Sequence, residues 1–516
     1  MTDTTVKHIA TVFPINAEAL KLDRKFRRRR SIIREFSLNT STQGIPGIAR
    51  SESIQNRIFW TISTIAFTGI MLYFIVESIE KYFTYPTQTS VSIIVLRSQA
   101  FPAVSICNYS PVRFDTFIEP FLNFTNFWNI TNTNDTRTIT AEQNNYIRDF
   151  FQYLLNNHQP IDNYFFPLSS MLISCSYNNQ VCQTTDFIQF LSSSFGLCYT
   201  FNAKMASNRS SIRNNTDNIG TGKLELQLYA HSHQYVPYVA KEVSVGMVAM
   251  IHDNTELPLI DVAGILLKTG LKHKLSYKKK THQLLPSPYS DCTNKVPLAM
   301  KAMFDRYAGA DYAYSQILCY ILCVQTYVYH ECGCVSPHQW TAQSIVLPST
   351  NKIIVAPLCN KTDRCYDNAT IRIRSTNSIW DQFCTDCSQA CSAVDFTVTP
   401  SVVSAPSDVR LSDIKKFVET SNIPLPKNWS TTWQSEIENN FVSVDVVCQT
   451  PRIETYTQDA SISGIDVLSN VGGHTGLWIG VSFLSIMEFV EMIYRLIRYH
   501  YYVLKERIRG QNQQQS

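Results

Sequence analysis

The sequence predicts a two-pass α-helical membrane protein carrying one large, disulfide-rich α+β domain outside the membrane. Three observations lead there: two uncharged apolar stretches, 15 cysteines that all fall between them, and basic residues on the far side of each. Charged side chains make up 17% of the 516 residues, below the roughly 25% of an ordinary soluble domain. The 28 Phe and 26 Tyr supply aromatic bulk to bury. A net charge of +4 over this length does not build the broad basic patch of a nucleic-acid binder, so no nucleic-acid partner is expected.

The first stretch, Ile58 to Val76, holds 19 residues without a charge. A helix of that length covers a hydrocarbon core of about 30 Å, which places transmembrane helix 1 at 58–76. The second, Val471 to Met487, has 17 uncharged residues. It serves as a span, 471–494, only if Glu488 and Glu491 are tolerated near its end, and a buried core helix is the alternative. Basic residues flank both: Lys21-Leu-Asp-Arg-Lys-Phe-Arg-Arg-Arg-Arg30 before the first, and Arg495, Arg498, Lys505, Arg507 and Arg509 after the second. The positive-inside rule therefore puts 1–57 and 495–516 in the cytosol and 77–470 outside. The first basic run reads as a contact with anionic lipid rather than a nuclear signal. No cleavable signal is visible, and the first span serves as a signal anchor.

The segment assigned to the outside has the chemistry of that compartment. Cys107 is the first cysteine and Cys448 the last. The same interval holds Asn-x-Ser/Thr sites at Asn123, Asn129, Asn134, Asn208, Asn214, Asn360, Asn368 and Asn428, with Asn108 a poorer site because Pro111 follows its serine. Asn39, the one site elsewhere, would stay unmodified in the cytosol. These features predict a glycosylated, oxidising setting. Ser90 to Val95, Lys223 to Tyr229, Val243 to Ile251 and Phe441 to Val447 read as strands, by β-branched content or period-two alternation. The first and last are expected to pair, since each lies beside a span. Ala299 to Tyr307 and Tyr314 to Tyr329 read as helices. The cysteines at 319, 323, 332 and 334, followed by 359, 365, 384, 387 and 391, suit either a disulfide ladder or zinc with Cys384, Cys387 and His330; the oxidising compartment favours disulfides. No Gly-x-Ser-x-Gly elbow or His-Glu-x-x-His motif supports an enzyme, and no cofactor is implied.

Ordered motifs then run along most of the chain. They are Phe101-Pro-Ala-Val-Ser-Ile-Cys-Asn108, Gly196-Leu-Cys-Tyr-Thr-Phe-Asn202, Leu285-Pro-Ser-Pro-Tyr-Ser-Asp-Cys292, Tyr314-Ser315 with the following cysteines, and Gly472-Gly-His-Thr-Gly-Leu-Trp-Ile-Gly-Val-Ser482 with Glu488. In these the chain closely resembles the degenerin and epithelial sodium channel family, which includes acid-sensing and neuropeptide-gated channels. The resemblance implies an amiloride-sensitive, trimeric plasma-membrane channel with a β-sheet palm and a helical thumb, as a homotrimer or a heterotrimer with paralogues. It also implies the bridges Cys107 to Cys198, Cys175 to Cys182, Cys292 to Cys391, Cys319 to Cys387, Cys323 to Cys384, Cys332 to Cys365 and Cys334 to Cys359. Cys448 is left over, as a buried free thiol or an intermolecular bridge.

Roles follow by position from the same resemblance. Gly480-Val481-Ser482 matches the family's Gly-x-Ser selectivity filter, where small residues let backbone carbonyls or the hydroxyl replace the hydration of sodium in transit. Gly472, Gly476 and Gly480 recur every fourth residue beside Gly473, either as pore glycines or as a helix-packing face. Glu488 and Glu491 lie three apart and would form carboxylate rings at the inner mouth, or else pair with Arg495 and face headgroups. Ser469 takes the degenerin position, where a small residue lets the pore close. Gln43-Gly44 stands where the family has a His-Gly gating motif, and Gln43 cannot titrate. His474 reads as a packed or hydrated histidine sooner than a proton sensor.

The agonist is less constrained. Acid-sensing relatives carry histidines just after the first helix, whereas this chain has Glu80-Lys-Tyr-Phe-Thr-Tyr-Pro-Thr-Gln88. That stretch resembles the invertebrate neuropeptide-gated branch, including FMRFamide-gated channels, which implies an extracellular amidated peptide as agonist. A constitutive or proton-modulated channel is the alternative within the family, and a two-pass non-conducting receptor or adhesion protein the alternative outside it. Tyr82 to Val95 with Phe441 to Val447 are expected to carry ligand preference to the helices.

Overall fold

The computed structural model describes residues 30–206, 212–216, 222–236, 244–307, 309–347 and 352–512. The chain forms two compact units, 89–459 and a helical one made of 1–88 with 460–516. The sequon at Asn208 lies outside the described residues.

Thirteen strands build the two large sheets of the 89–459 unit. In chain order they are β1 (Thr87–Val95), β2 (Ala103–Asn108), β3 (Leu172–Tyr177), β4 (Gln180–Val181), β5 (Phe187–Ser192), β6 (Gly196–Phe201) and β7 (Leu224–Tyr229). Then come β8 (Gly246–His252), β9 (Ile265–Lys268), β10 (Leu271–Gln283), β11 (Ser392–Ser404), β12 (Phe441–Cys448) and β13 (Arg452–Ala460). The larger sheet runs β1-β13-β10-β12-β7-β3-β4, with β11 also on β10; the smaller runs β9-β8-β2-β6-β5. Both β2 and β8 are buried at every residue, as strands covered on two faces must be. Between the sheets, Phe101, Tyr199, Phe201, Leu226, Val444 and Tyr277 fill one continuous core.

One expectation is corrected here. Ser90 to Val95 lies in β1, and β1 neighbours β13, with β13 and β10 standing between it and β12. The returning strand is broken: β12 pairs with Leu271–Tyr277 of β10 and β13 pairs with Lys280–Gln283 of the same strand, both parallel. Pro451, in the gap between β12 and β13, has no N–H to donate, and it is β13 that meets β1. The alternation expected of Phe441 to Val447 also gives way, since the first six residues of β12 are buried whichever way they point.

Helices pack outside the sheets. Phe114–Phe127 and Ile147–Asn156 meet through an aromatic cluster in which the Phe117 ring lies 5.6 Å from Phe150 and 5.9 Å from Phe151. Gln316–Cys332 is capped by the Ser315 side chain and ends on Gly333, whose φ of 70° is left-handed. Along this helix Cys319 joins Cys387, Cys323 joins Cys384 and Cys332 joins Cys365, with Cys334 to Cys359 just beyond it and Cys292 to Cys391 enclosing the set. Cys107–Cys198 crosses between paired residues of β2 and β6, and Cys175–Cys182 closes the β3–β4 hairpin. These bridges fix loops that the chain would otherwise have to order, typically about 2–4 kcal/mol each. Cys448 is the free cysteine.

In the helical unit, Ile54–Phe83 is a 30-residue helix, long and apolar enough to cross a membrane. The second apolar stretch is bent: Gly464–Ile479 and the helix from Phe483 meet at an angle of 73°, as a broken span or a re-entrant loop would. A helix at 30–39 and a short one, Ile45–Arg50, precede the first span.

Candidate ion pathway

The break in the second span falls on Gly480, Val481 and Ser482, the three residues matched to a filter. Gly464–Ile479 starts with a capping box, Ser463 with Asp466, and stops at Gly480, whose φ of 67° is left-handed. The backbone N–H groups of Gly480 and Val481 turn back to the carbonyls of Gly476 and Thr475, at 3.1 Å each. Past the gap, the Ser482 N–H donates to Ser485 Oγ at 3.1 Å and the Ser485 N–H donates to Ser482 Oγ at 3.3 Å. A helix cannot cross this point unbroken, because a left-handed residue ends the i to i−4 ladder.

The segment before the first span folds against the break. Gln43 donates its N–H to the Ile479 carbonyl at 2.9 Å, and a Cβ on Gly480 would lie 2.8 Å from Gln43 Cγ. Gly44 has a φ of 97°, and a Cβ there would meet Thr64 Oγ1 of the first span at 2.4 Å. Both Gln43 and Gly44 are thus placed by backbone geometry. Ser41 donates its N–H to Glu488 Oε2 at 2.9 Å, and its hydroxyl lies 2.5 Å from Ser485 Oγ. Sequence reasoning missed Ser41 and Ser485; the Thr40-Ser-Thr run beside Gln43 was the one available signal.

The remaining pore candidates take definite places. Glu491 pairs with Arg495 at 2.7 Å, and Arg495 also reaches Glu35 at 3.3 Å. Ser469 is exposed on Gly464–Ile479. A Cβ on Gly472, Gly473 or Gly476 would meet nothing within 4 Å. The glycine face therefore does not pack on the first span of its own chain, and Gly480 has left the helix altogether, which corrects the reading of one four-residue glycine repeat on one face. What joins the spans is aromatic: Phe74 stacks on His474 at 5.3 Å and on Trp478 at 6.0 Å. His474 is a packed ring.

Two clusters of charge lie in the larger unit. Asp445, 5% exposed in the middle of β12, accepts from Lys223 at 2.8 Å and Lys272 at 2.9 Å. Lys223 also pairs with Glu225, and that hydrogen bond holds the Glu225 carboxyl below its usual range. Elsewhere, burial pushes the Glu256 carboxyl up to about 7, helped by the nearby charges of Asp253 and Asp395. His282 lies 3.3 Å from Asp395 and stacks on Tyr456.

A strand-built unit with seven disulfides and a helical unit with one helix long and apolar enough to cross a membrane fit the fold of a membrane channel. Residues 36–492 match the family described as amiloride-sensitive sodium channel. The chain belongs to this degenerin and epithelial sodium channel family, whose members are sodium channels of the plasma membrane and not enzymes. It is 24% identical to acid-sensing ion channel 1 of Gallus gallus, over 90% of this chain and 84% of that protein. It is 27% identical to degenerin mec-10 of Caenorhabditis elegans over 66% of this chain and 43% of that protein. Against the bile acid-sensitive ion channel of Homo sapiens it is 22% identical, over 90% of this chain and 86% of that protein. A solved proton-activated chloride channel aligns with a TM-score of 0.28 and 6% identity over 86% of this chain and 98% of its own, too low to carry an argument.

Proposed function

We propose that the protein is a trimeric, two-pass, sodium-selective channel of the plasma membrane, opened by an extracellular amidated peptide. Its termini are cytosolic, 77–470 is extracellular and glycosylated, and 471–494 carries the filter. The observation that carries the pore reading is the 73° break at Gly480, Val481 and Ser482, which takes backbone carbonyls out of the helical ladder, groups of the kind that can replace ion hydration. A non-conducting receptor has no use for such a break. Glu488 and Glu491 lie beyond it and would become rings of carboxylates on the cytosolic side of a trimer. The bare face at Gly472 and Gly476 supports that assembly, since it lets neighbouring copies approach closely.

Peptide gating is supported by what disfavours protons. The hydrogen bond from Lys223 holds the Glu225 carboxyl below its usual range, so mild acid does not discharge it. The family's titratable histidine is replaced by Gln43. A second reading, proton modulation, rests on Glu256, which titrates near neutrality. In either case a ligand opens the channel only by binding the open-like form more tightly. With β13 beside β1, the coupling path is β1 with β13 in place of β1 with β12.

The test is current through oocytes expressing this chain alone, challenged with a panel of amidated peptides and with pH steps. Peptide-evoked sodium current supports the reading, and acid-evoked current moves it to the second. A bulky Ser469→Phe variant should conduct without agonist; if it reaches the surface and stays silent, the pore reading fails.

A further inference from the structure

Cys448, the cysteine outside the seven bridges, sits among polar side chains drawn from three other strands. It ends β12 opposite Tyr277 of β10. Nearby, the short strands Ser98–Ala100 and Asn214–Thr216 pair with Gln99 opposite Asn215. Gln99 donates its Nε2–H to the Cys448 sulfur at 3.2 Å, and the thiol donates to the Thr450 carbonyl at 3.1 Å. The Tyr277 phenol faces the same point: burial raises it, the Cys448 thiol beside it raises it further, and Asn215 pulls the other way. Strand pairing thus gathers one thiol, two amides and one phenol.

Three atoms of this cluster have bonding capacity to spare. Gln99 Oε1, Asn215 Oδ1 and the Tyr277 hydroxyl are buried without a properly directed hydrogen bond among the described residues. Gln99 is 7% exposed, Asn215 6% and Tyr277 0%, so bulk solvent does not serve them. Such groups cost stability when left unpaired, and folded proteins keep few of them. Their capacities are complementary, since the phenol offers a proton and the two amide oxygens accept one. A single hydroxyl group added to the sulfur would use both kinds. Cys448 is only half-buried, so a small reagent can reach it.

We propose that Cys448 is an oxidation site, which takes one oxygen from a hydroperoxide and holds it as a sulfenic acid among Tyr277, Asn215 and Gln99. The sulfur attacks one peroxide oxygen, and the S–O bond forms as the O–O bond breaks. Sulfur gives up two electrons, and the thiol proton joins the departing hydroxide, so hydrogen peroxide leaves as water. The new oxygen accepts from the Tyr277 hydroxyl, and its own proton goes to an amide oxygen. Every other cysteine is bridged, so no thiol of the same chain condenses with this acid to a disulfide. The Thr450 carbonyl loses its thiol donor in the change. Thr450 leads through Pro451 into β13, so oxidation acts on the joint between β12 and β13.

Hydrogen peroxide applied to the purified full chain in lipid nanodiscs tests this. Catalase stops the reaction, the protein is denatured in dimedone, which traps sulfenic acid, and mass spectrometry of the Cys448 peptide gives its sulfenic and sulfinic forms. Sulfinic acid forms when a second peroxide adds a second oxygen and leaves as water, so the ratio of the two forms measures how well the first is held. Tyr277→Phe, which removes only the hydroxyl, should lower that ratio about three- to tenfold, the worth of one hydrogen bond. If no dimedone adduct forms at Cys448, or sulfinic acid appears without a sulfenic stage, there is no such site. If Tyr277→Phe keeps the parent's ratio, the phenol does not hold the oxygen and the proposal fails. Should that variant not fold, the parent unfolded in urea before peroxide decides: a ratio at least about threefold lower than in the folded chain upholds the proposal, and an equal one overturns it.

Discussion

Replacing Gly480 with alanine isolates the two forces that shape the break in the second span. At φ of 67° an L-residue costs about 1–2 kcal/mol relative to glycine. In addition, the new Cβ would sit 2.8 Å from Gln43 Cγ and 3.2 Å from Cδ, so either the Gln43 side chain moves or the break does. Every 1.4 kcal/mol is about a tenfold change in an equilibrium, so Gly480→Ala should cut the population of the native break several-fold or more in each chain. The readout is the sodium to potassium permeability ratio from reversal potentials, together with peak current corrected for surface expression. Both should fall. Gln43→Ala removes Cγ and Cδ while leaving the backbone N–H that donates to Ile479. The double variant should therefore recover the part due to contact and keep the part due to φ, a non-additivity that distant sites do not show. If Gly480→Ala conducts with unchanged selectivity, or if Gln43→Ala has no effect on it, then the segment before the first span does not brace the break.

Glu256 carries a pH prediction whose sign is fixed by its raised carboxyl. The folded protein holds that proton more tightly than the unfolded chain, so the group favours folding at low pH and that stability is lost as pH rises through about 7. Glu256→Gln should raise the melting temperature at pH 8 relative to the parent and leave it nearly unchanged at pH 4.5, with a difference of at most about 3 kcal/mol. Cys448 accepts from Gln99 at 3.2 Å and donates to the Thr450 carbonyl at 3.1 Å, roles a serine can take. Cys448→Ser should leave current and oligomer size unchanged, and mass spectrometry of the denatured, unreduced parent should find one free thiol per chain. Asn123, Asn129, Asn134, Asn214, Asn360, Asn368 and Asn428 are all exposed, so N-glycosidase should shift the expressed protein downward on a gel, and Asn39→Gln should not alter that shift. Phe74→Ala removes two stacked contacts with His474 and Trp478 and should destabilise the helical unit by about 1–3 kcal/mol, read as reduced surface expression; unchanged expression counts against stacking as what holds the spans together.

What could be read from the sequence was what depends on local pattern. The uncharged run at Ile58 to Val76 lies inside the observed helix Ile54–Phe83, because a long apolar stretch has few other ways to satisfy its backbone. The thumb helix expected at Tyr314 to Tyr329 is found at Gln316–Cys332, where Ser315 and Gly333 supply end signals that the apolar pattern alone does not. What escaped was what depends on partners distant in sequence. Nothing near Asp445 announces Lys223 and Lys272, since pairing across β7, β10 and β12 brings them together. Ser41 looks like any linker serine until Glu488 and Ser485, over 400 positions away, come beside it. The break at Gly480 was visible as a motif and invisible as a bend, because a glycine inside a hydrophobic run is compatible with both a straight helix and a left-handed stop.

Each unit, taken separately, leaves a surface that a single chain does not cover. In the helical unit it is the glycine face, where a Cβ would meet nothing within 4 Å. In the larger unit it is β1, exposed at all nine of its residues, with Val91 58%, Ile93 65% and Val95 61% accessible. An edge strand with bare apolar side chains is ordinarily shielded by charge, proline or a covering element, and β1 carries no charged residue and no proline from Thr87 to Val95. Each of these surfaces, on its own unit, is therefore a place where a further polypeptide could pack.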